Sequence, residues 1–192
     1  MSFGNNAAIV TPPEKLMSPK KRQALVVIDL QNDYFPDGRF PLWNSDAVLN
    51  ATLAAIAGAR QRGIPVILVQ HVADAGKGLA PFFNAGTPGV EVHPAIRAAA
   101  PEAELVVKTA ADAFLDTTLA ATLTRLGIDE LLLCGMMTQN CVTHTALSRA
   151  AEPYAIKVLG DCCTTVSQIL HVIALNALAA RLPVLSASAA LD

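Results

Sequence analysis

The chain alternates between two apolar patterns. Short runs rich in β-branched residues are followed by longer stretches with apolar residues at helical spacing. Ala24–Leu30 (ALVVIDL) is the first short run, and its near-continuous apolar character predicts a strand buried on both faces of a parallel sheet. Pro65–His71, Leu105–Lys108, Glu130–Gly135, Ala155–Gly160 and Pro183–Leu185 predict further strands. Helical spacing predicts helices over Asp46–Arg62, Asn140–Ala151 and Ser167–Arg181, and one running from an Asp116 N-cap to Leu126. Gly63 and Gly127 stand where helix-ending glycines are expected.

This rhythm predicts an α/β fold, Rossmann-like, with a six-stranded, mostly parallel sheet, helices on both faces and right-handed crossovers. One interval breaks it. Val72–Glu104 is rich in Gly and Pro and too long for an ordinary connector. Met1–Arg22 carries Pro and Asn and ends in Lys20-Lys21-Arg22. It reads equally as an arm preceding the domain at 23–192 or as a disordered tail.

Open parallel sheets bind ligands outside the carboxyl ends of their strands. The polar residues there are Asp29, His71, Lys108, Asp161 and the turn at 135–141.

Composition narrows the function classes. Hydrophobic residues make up 53% of the 192 residues and charged residues 16%, which argues against disorder and for some apolar surface buried between subunits. A homodimer or homotetramer is expected. The net charge of −2, with no large basic block, recommends neither nucleic acid nor an anionic membrane as partner. No apolar run reaches the roughly 18 residues of a membrane helix, and no signal-peptide core is evident. Four cysteines, two of them adjacent (Cys162 and Cys163), fit a reduced, cytoplasmic protein. Neither a zinc framework nor a phosphate-binding glycine loop occurs.

Cys141 falls in the first turn of the helix expected after the fourth strand. Free N–H groups and the dipole at a helix start favour thiolate, so its pKa should fall below the free value of about 8.5. The competing reading is a small buried hydrophobe. Asp29 is the one charged residue of its strand segment; it reads as a base for the thiol or as a carboxylate accepting main-chain N–H bonds. Lys108 reads as the cation that balances Asp29, or as a surface lysine. A cysteine, a carboxylate and a cation on neighbouring strand ends together make an activated nucleophile. His71 lies at the same edge. His93 is expected to be structural, His144 to point back into packing, and His171 to be core or interface.

Three segments resemble the isochorismatase-like cysteine hydrolase family. They are Val27-Ile28-Asp29-Leu30-Gln31-Asn32-Asp33-Tyr34-Phe35 with Gly38, Val106-Val107-Lys108 with Ala113-Phe114, and Cys134-Gly135-Met136-Met137-Thr138-Gln139-Asn140-Cys141-Val142 with Thr145-Ala146. The resemblance runs over about 23–184. It implies a three-layer α/β/α sandwich, a catalytic triad of Asp29, Lys108 and Cys141, and a non-proline cis peptide between Met136 and Met137. It further implies an oxyanion hole from the main-chain N–H groups of Met137 and Cys141. Gln31, Tyr34 and His71 would line a pocket for a small-molecule substrate.

Members of that family cleave small amides, ureides or the vinyl ether isochorismate, and commonly form dimers or tetramers. The implied activity is a cysteine hydrolase acting on a small amide- or ureide-type C–N bond through a thioester. Vinyl-ether hydrolysis and a non-catalytic binding role with a vestigial triad are the alternatives. Nicotinamidases of the family bind a metal through Asp-x-His after the second strand, whereas this chain reads Gln70-His71-Val72-Ala73-Asp74. No metal and no other cofactor are therefore expected.

Overall fold

The computed structural model describes residues 21–192. Most of the arm expected at 1–22 lies outside the described residues. Six strands form one sheet: β1 (Gln23–Ile28), β2 (Val66–His71), β3 (Glu104–Lys108), β4 (Glu130–Met136), β5 (Ala155–Thr164) and β6 (Val184–Leu185). Their order is β3-β2-β1-β4-β5-β6, and every neighbouring pair is parallel. The helices are α1 (Ser45–Gln61), α2 (Pro94–Ala99), α3 (Leu119–Leu126), α4 (Thr143–Ala146), α5 (Gln168–Ala179) and α6 (Ala187–Leu191).

Right-handed crossovers set the layers. The chain winds from β1 out to β3, then returns past β1 and winds outward again through β4, β5 and β6. This puts α1 and α2 on one face and α3, α4 and α5 on the other, while α6 returns to pack on α1. The core is the sheet itself: Leu25, Val26, Ile28, Leu131, Leu132 and Leu133 are fully buried. The winding direction reverses between β1 and β4, so a crevice opens at their carboxyl ends. Asp29 and the 137–141 turn emerge there.

Gly135 makes that crevice possible. Its φ is 130°, and an added Cβ would lie 2.0 Å from the Ile28 carbonyl oxygen. Only glycine lets β4 approach β1 so closely. Gly135→Ala is expected to destabilise the fold by about 3 kcal/mol or more, combining positive-φ strain with a main-chain clash. Urea unfolding measures it; an unchanged midpoint would mean the strands separate at no cost.

Several expected boundaries shift. Asp116 does not cap α3. It has φ 54°, and the helix starts at Leu119 behind Thr118, where the Thr117 hydroxyl accepts the Leu119 N–H. The helix expected at Asn140–Ala151 is three pieces: a π-helical turn at Thr138–Val142, α4, and a 3-10 turn at Arg149–Ala151 capped by Ser148. β5 runs past its expected end at Gly160, because Cys162, Cys163 and Thr164 are buried and Gly135 and Met136 pair with Cys163 and Thr164. Asp161 thus lies within a strand, and its carboxylate accepts the Ala187 N–H that begins α6. The Val72–Glu104 interval contains α2 and two 3-10 turns.

Candidate active site

Strand register brings the site together. His71 and Lys108 are direct partners in the β2–β3 ladder, so their side chains leave the sheet on the same side. Asp29 follows β1 with φ 55°, its N–H bonded to the Val69 carbonyl. Cys141 sits in the π-helical turn after β4. The three expected triad residues converge: Asp29, Lys108 and Cys141 are 0%, 1% and 1% exposed.

The Lys108 ammonium is the hub. Nζ lies 2.8 Å from Asp29 Oδ2, 2.9 Å from His71 Nδ1, 3.0 Å from the Ala110 carbonyl oxygen and 3.2 Å from Cys141 Sγ. An ammonium has three N–H bonds for these four neighbours. The geometry resolves the excess. Asp29 Oδ2 meets the ammonium as an ion pair at 2.8 Å, off the alignment of the other three contacts. The three N–H bonds go to His71, Ala110 and Cys141. Asp29 therefore has its charge compensated by Lys108 with lone pairs left over to take a proton.

Electrostatics follow from that arrangement. Burial pulls the Lys108 pKa down, but Asp29 and Cys141 beside it outweigh burial and raise it, so Lys108 is a cation. Burial, then Asp29, push the Cys141 thiol up, against an opposing pull from Lys108. This corrects the expectation of a lowered pKa. The π turn is short, and desolvation of a sulfur 1% exposed outweighs any dipole. At rest Cys141 is thus a thiol beside the Lys108 ammonium.

Burial raises the other three cysteines too, Cys163 to about 12. The native protein should accordingly show no thiolate ultraviolet absorbance from about pH 6 to about pH 9, whereas unfolded thiols titrate near 8.5. A native transition below pH 8 would contradict the resting thiol.

Around the hub, expected pocket residues divide by role. Gln31 is fully buried, and its amide is committed to main chain: it accepts the His71 N–H and donates to the His71 and Val90 carbonyls. It ties the long loop to β2. Tyr34 is 1% exposed and packs with Phe40, Phe82 and Phe83. Burial, then Asp29 and Cys141, raise its phenol pKa, so it stays protonated. Burial and Lys108 lower the His71 pKa against a smaller pull from Asp29, leaving the ring neutral.

The Met136–Met137 peptide is cis. Among the described residues the Met137 N–H has no acceptor, and the Cys141 N–H reaches none outside its own turn.

The remaining histidines serve structure. His93 caps α2 and packs against Phe35. His171 is paired with the Thr138 hydroxyl. His144 is exposed, with Nδ1 2.9 Å from the Asn140 carbonyl oxygen, rather than packed inward.

Two contributors were not anticipated. The Ala110 carbonyl binds Lys108, and a main-chain acceptor leaves no mark in a sequence. Asp33 is buried and accepts the Phe83 and Arg39 N–H groups, which pins the aromatic wall. An added Cβ on Gly89 would lie 2.0 Å from its carboxylate. A charged residue inside the Asp29–Phe35 motif was the available signal.

Asp29, His71 and Cys141 place a carboxylate oxygen, an imidazole nitrogen and a sulfur within 4.8 Å of one another, a spacing a metal could use. The Lys108 ammonium already sits 2.8–3.2 Å from each. A divalent cation among the same atoms would face that charge at close range in a dry interior. These residues do not fit a metal.

Comparison with known proteins agrees with this geometry. The isochorismatase domain model matches residues 23–190. An uncharacterised isochorismatase family protein of Bacillus subtilis, YddQ, is 37% identical over 142 residues, covering 74% of this chain and 77% of that protein. A streptothricin hydrolase of Streptomyces noursei is 32% identical over 162 residues, covering 84% of this chain and 61% of its own length. The crystal structure of an isochorismatase family protein from Desulfovibrio vulgaris superposes with a TM-score of 0.78 at 26% identity, covering 88% of this chain and 96% of that one. With the domain model spanning all six strands and all three converging residues, the chain belongs to the isochorismatase family of hydrolases.

Proposed function

We propose that the protein is a cysteine hydrolase of small amide- or ureide-type C–N bonds, with Asp29, Lys108 and Cys141 as catalytic residues. One observation carries this reading: the buried Asp29 carboxylate is charge-compensated by Lys108 and has lone pairs to spare, beside a protonated thiol that Lys108 already contacts.

Asp29 takes the Cys141 proton as Sγ attacks the substrate carbonyl carbon. Lys108 holds the sulfur as its charge develops. Its three N–H bonds are already placed, so the carbonyl oxygen is left to the Met137 and Cys141 N–H groups. The tetrahedral intermediate collapses, the C–N bond breaks, and the amine leaves with the proton from Asp29. A water gives its proton to Asp29 and its oxygen to the thioester, which releases the acid and restores the thiol. Tyr34 and His71 line the pocket, and Gln31 holds its wall.

The kinship with a protein named streptothricin hydrolase supports hydrolysis of a small molecule. A panel of small amides, ureides and isochorismate separates the outcomes. Amide or ureide turnover supports the reading. Turnover of isochorismate alone would place the chemistry at a vinyl ether, where the carboxylate acts as acid and no thioester is needed.

Among the described residues no helix is long and apolar enough to cross a membrane. Yet α5 leaves Ile169, Val172 and Ile173 exposed, and no charged residue lies between Asp161 and Arg181. We infer that copies of the chain meet on this face as a homodimer or homotetramer. Sedimentation equilibrium should return a multiple of the 20.1 kDa chain mass; a monomer at micromolar concentration would reject the inference.

A further inference from the structure

We infer that His71 is a positioning residue: its Nδ1 holds the Lys108 ammonium so that one N–H stays directed at Cys141 Sγ rather than turning to Asp29. The inference rests on the proposed thiol chemistry, because it concerns the same cation. It assigns His71 a role beyond lining a pocket.

Three observations lead to it. First, Lys108 has no lone pair, so in the 2.9 Å contact Nδ1 must accept and the ring proton must reside on Nε2. Second, the ring is held from behind. The His71 N–H and C=O are both bonded to the Gln31 amide, at 2.8 Å each, and the ladder register sets His71 beside Lys108. A residue fixed at main chain and side chain can aim its partner.

Third, the alternative acceptor lies close by. Asp29 Oδ2 is 2.8 Å from Nζ, off the alignment of the other three contacts. If the His71 acceptor were lost, the freed N–H would turn to that oxygen. Asp29 would then be a worse base, and the cation would swing off the sulfur. One histidine therefore keeps both partners ready.

The charged and titratable groups facing the ring are Lys108 on β3, Asp29 after β1 and Cys141 after β4. Protonating Nδ1 would set a second cation against Lys108 and break the contact. The Nε2–H makes no hydrogen bond among the described residues.

Two measurements test this, neither needing a known substrate. The first is long-range ¹H–¹⁵N NMR of the histidine-labelled full chain at neutral pH, with His71 assigned by its loss in His71→Asn. A neutral ring protonated at Nε2 is expected; a proton on Nδ1, or an imidazolium, would overturn the inference.

The second compares Cys141 alkylation by iodoacetamide in His71→Asn and His71→Leu, read by peptide mass spectrometry. Both remove the ring, so access to sulfur is similar, but asparagine Oδ1 can replace Nδ1 as acceptor. Alkylation in His71→Leu should be about tenfold slower, the effect of raising the thiol pKa by one unit. Equal rates would overturn the positioning role. Should His71→Leu fail to fold, the NMR measurement on the wild type still decides. Failure of the hydrolase reading would appear separately, as an absence of turnover with both results intact.

Discussion

Lys108→Met should destabilise the protein by about 3–5 kcal/mol, the usual cost of leaving a buried charge without its partner. Asp29 is 0% exposed and its carboxylate lies 2.8 Å from Nζ, so Lys108 is its compensating charge. Asp29→Asn should cost a similar amount by stranding the ammonium. The double variant Asp29→Asn/Lys108→Met should recover most of the loss, since an uncharged pair carries no such penalty. Activity should stay absent in all three. Urea unfolding of the four proteins measures the cycle. Additive losses in the double variant would show that the two charges are not coupled, and the account of the site as one charge-balanced unit would fail.

Cys141→Ser should lower turnover of any accepted amide by at least about a thousandfold, because removing a nucleophile forfeits the whole covalent route. The fold should change little. Serine is close in size, and its hydroxyl can accept the Lys108 N–H that the sulfur now takes at 3.2 Å. Stability should stay within about 1 kcal/mol of wild type, the net value of an ordinary hydrogen bond. A folded Cys141→Ser protein that kept wild-type turnover would move the nucleophile elsewhere. The other cysteines are poor substitutes: Cys134 and Cys163 lie buried inside β4 and β5, and burial raises all three thiols.

The sheet was readable because a strand buried on both faces must be apolar almost throughout. Any charged residue at its end then stands out, and Asp29 and Lys108 were visible on that ground alone. Cys141 was visible by its place after the fourth strand. What escaped was contributed by main chain or by register. The Ala110 carbonyl has no sequence signature. The pairing of His71 with Lys108 depends on how β2 and β3 align, which apolar runs do not specify. The Gln31 side chain supplies main-chain-like partners to β2, which its residue type does not announce. The thiol pKa was misjudged for a related reason. Helix position is legible in a sequence, whereas the near-complete burial that outweighs it is set by side chains from several elements. α6 escaped because the Asp161 carboxylate, which accepts its first N–H, looked like a strand end.

The central claim is that Cys141 forms a covalent bond with the substrate acyl group. The most direct measurement is acid quenching during turnover of a panel amide, followed by mass spectrometry of the peptide bearing Cys141. An acyl adduct on Cys141 that appears and decays within turnover is the predicted result. Full turnover by wild type and by Cys141→Ser, with no adduct at any time, would contradict it.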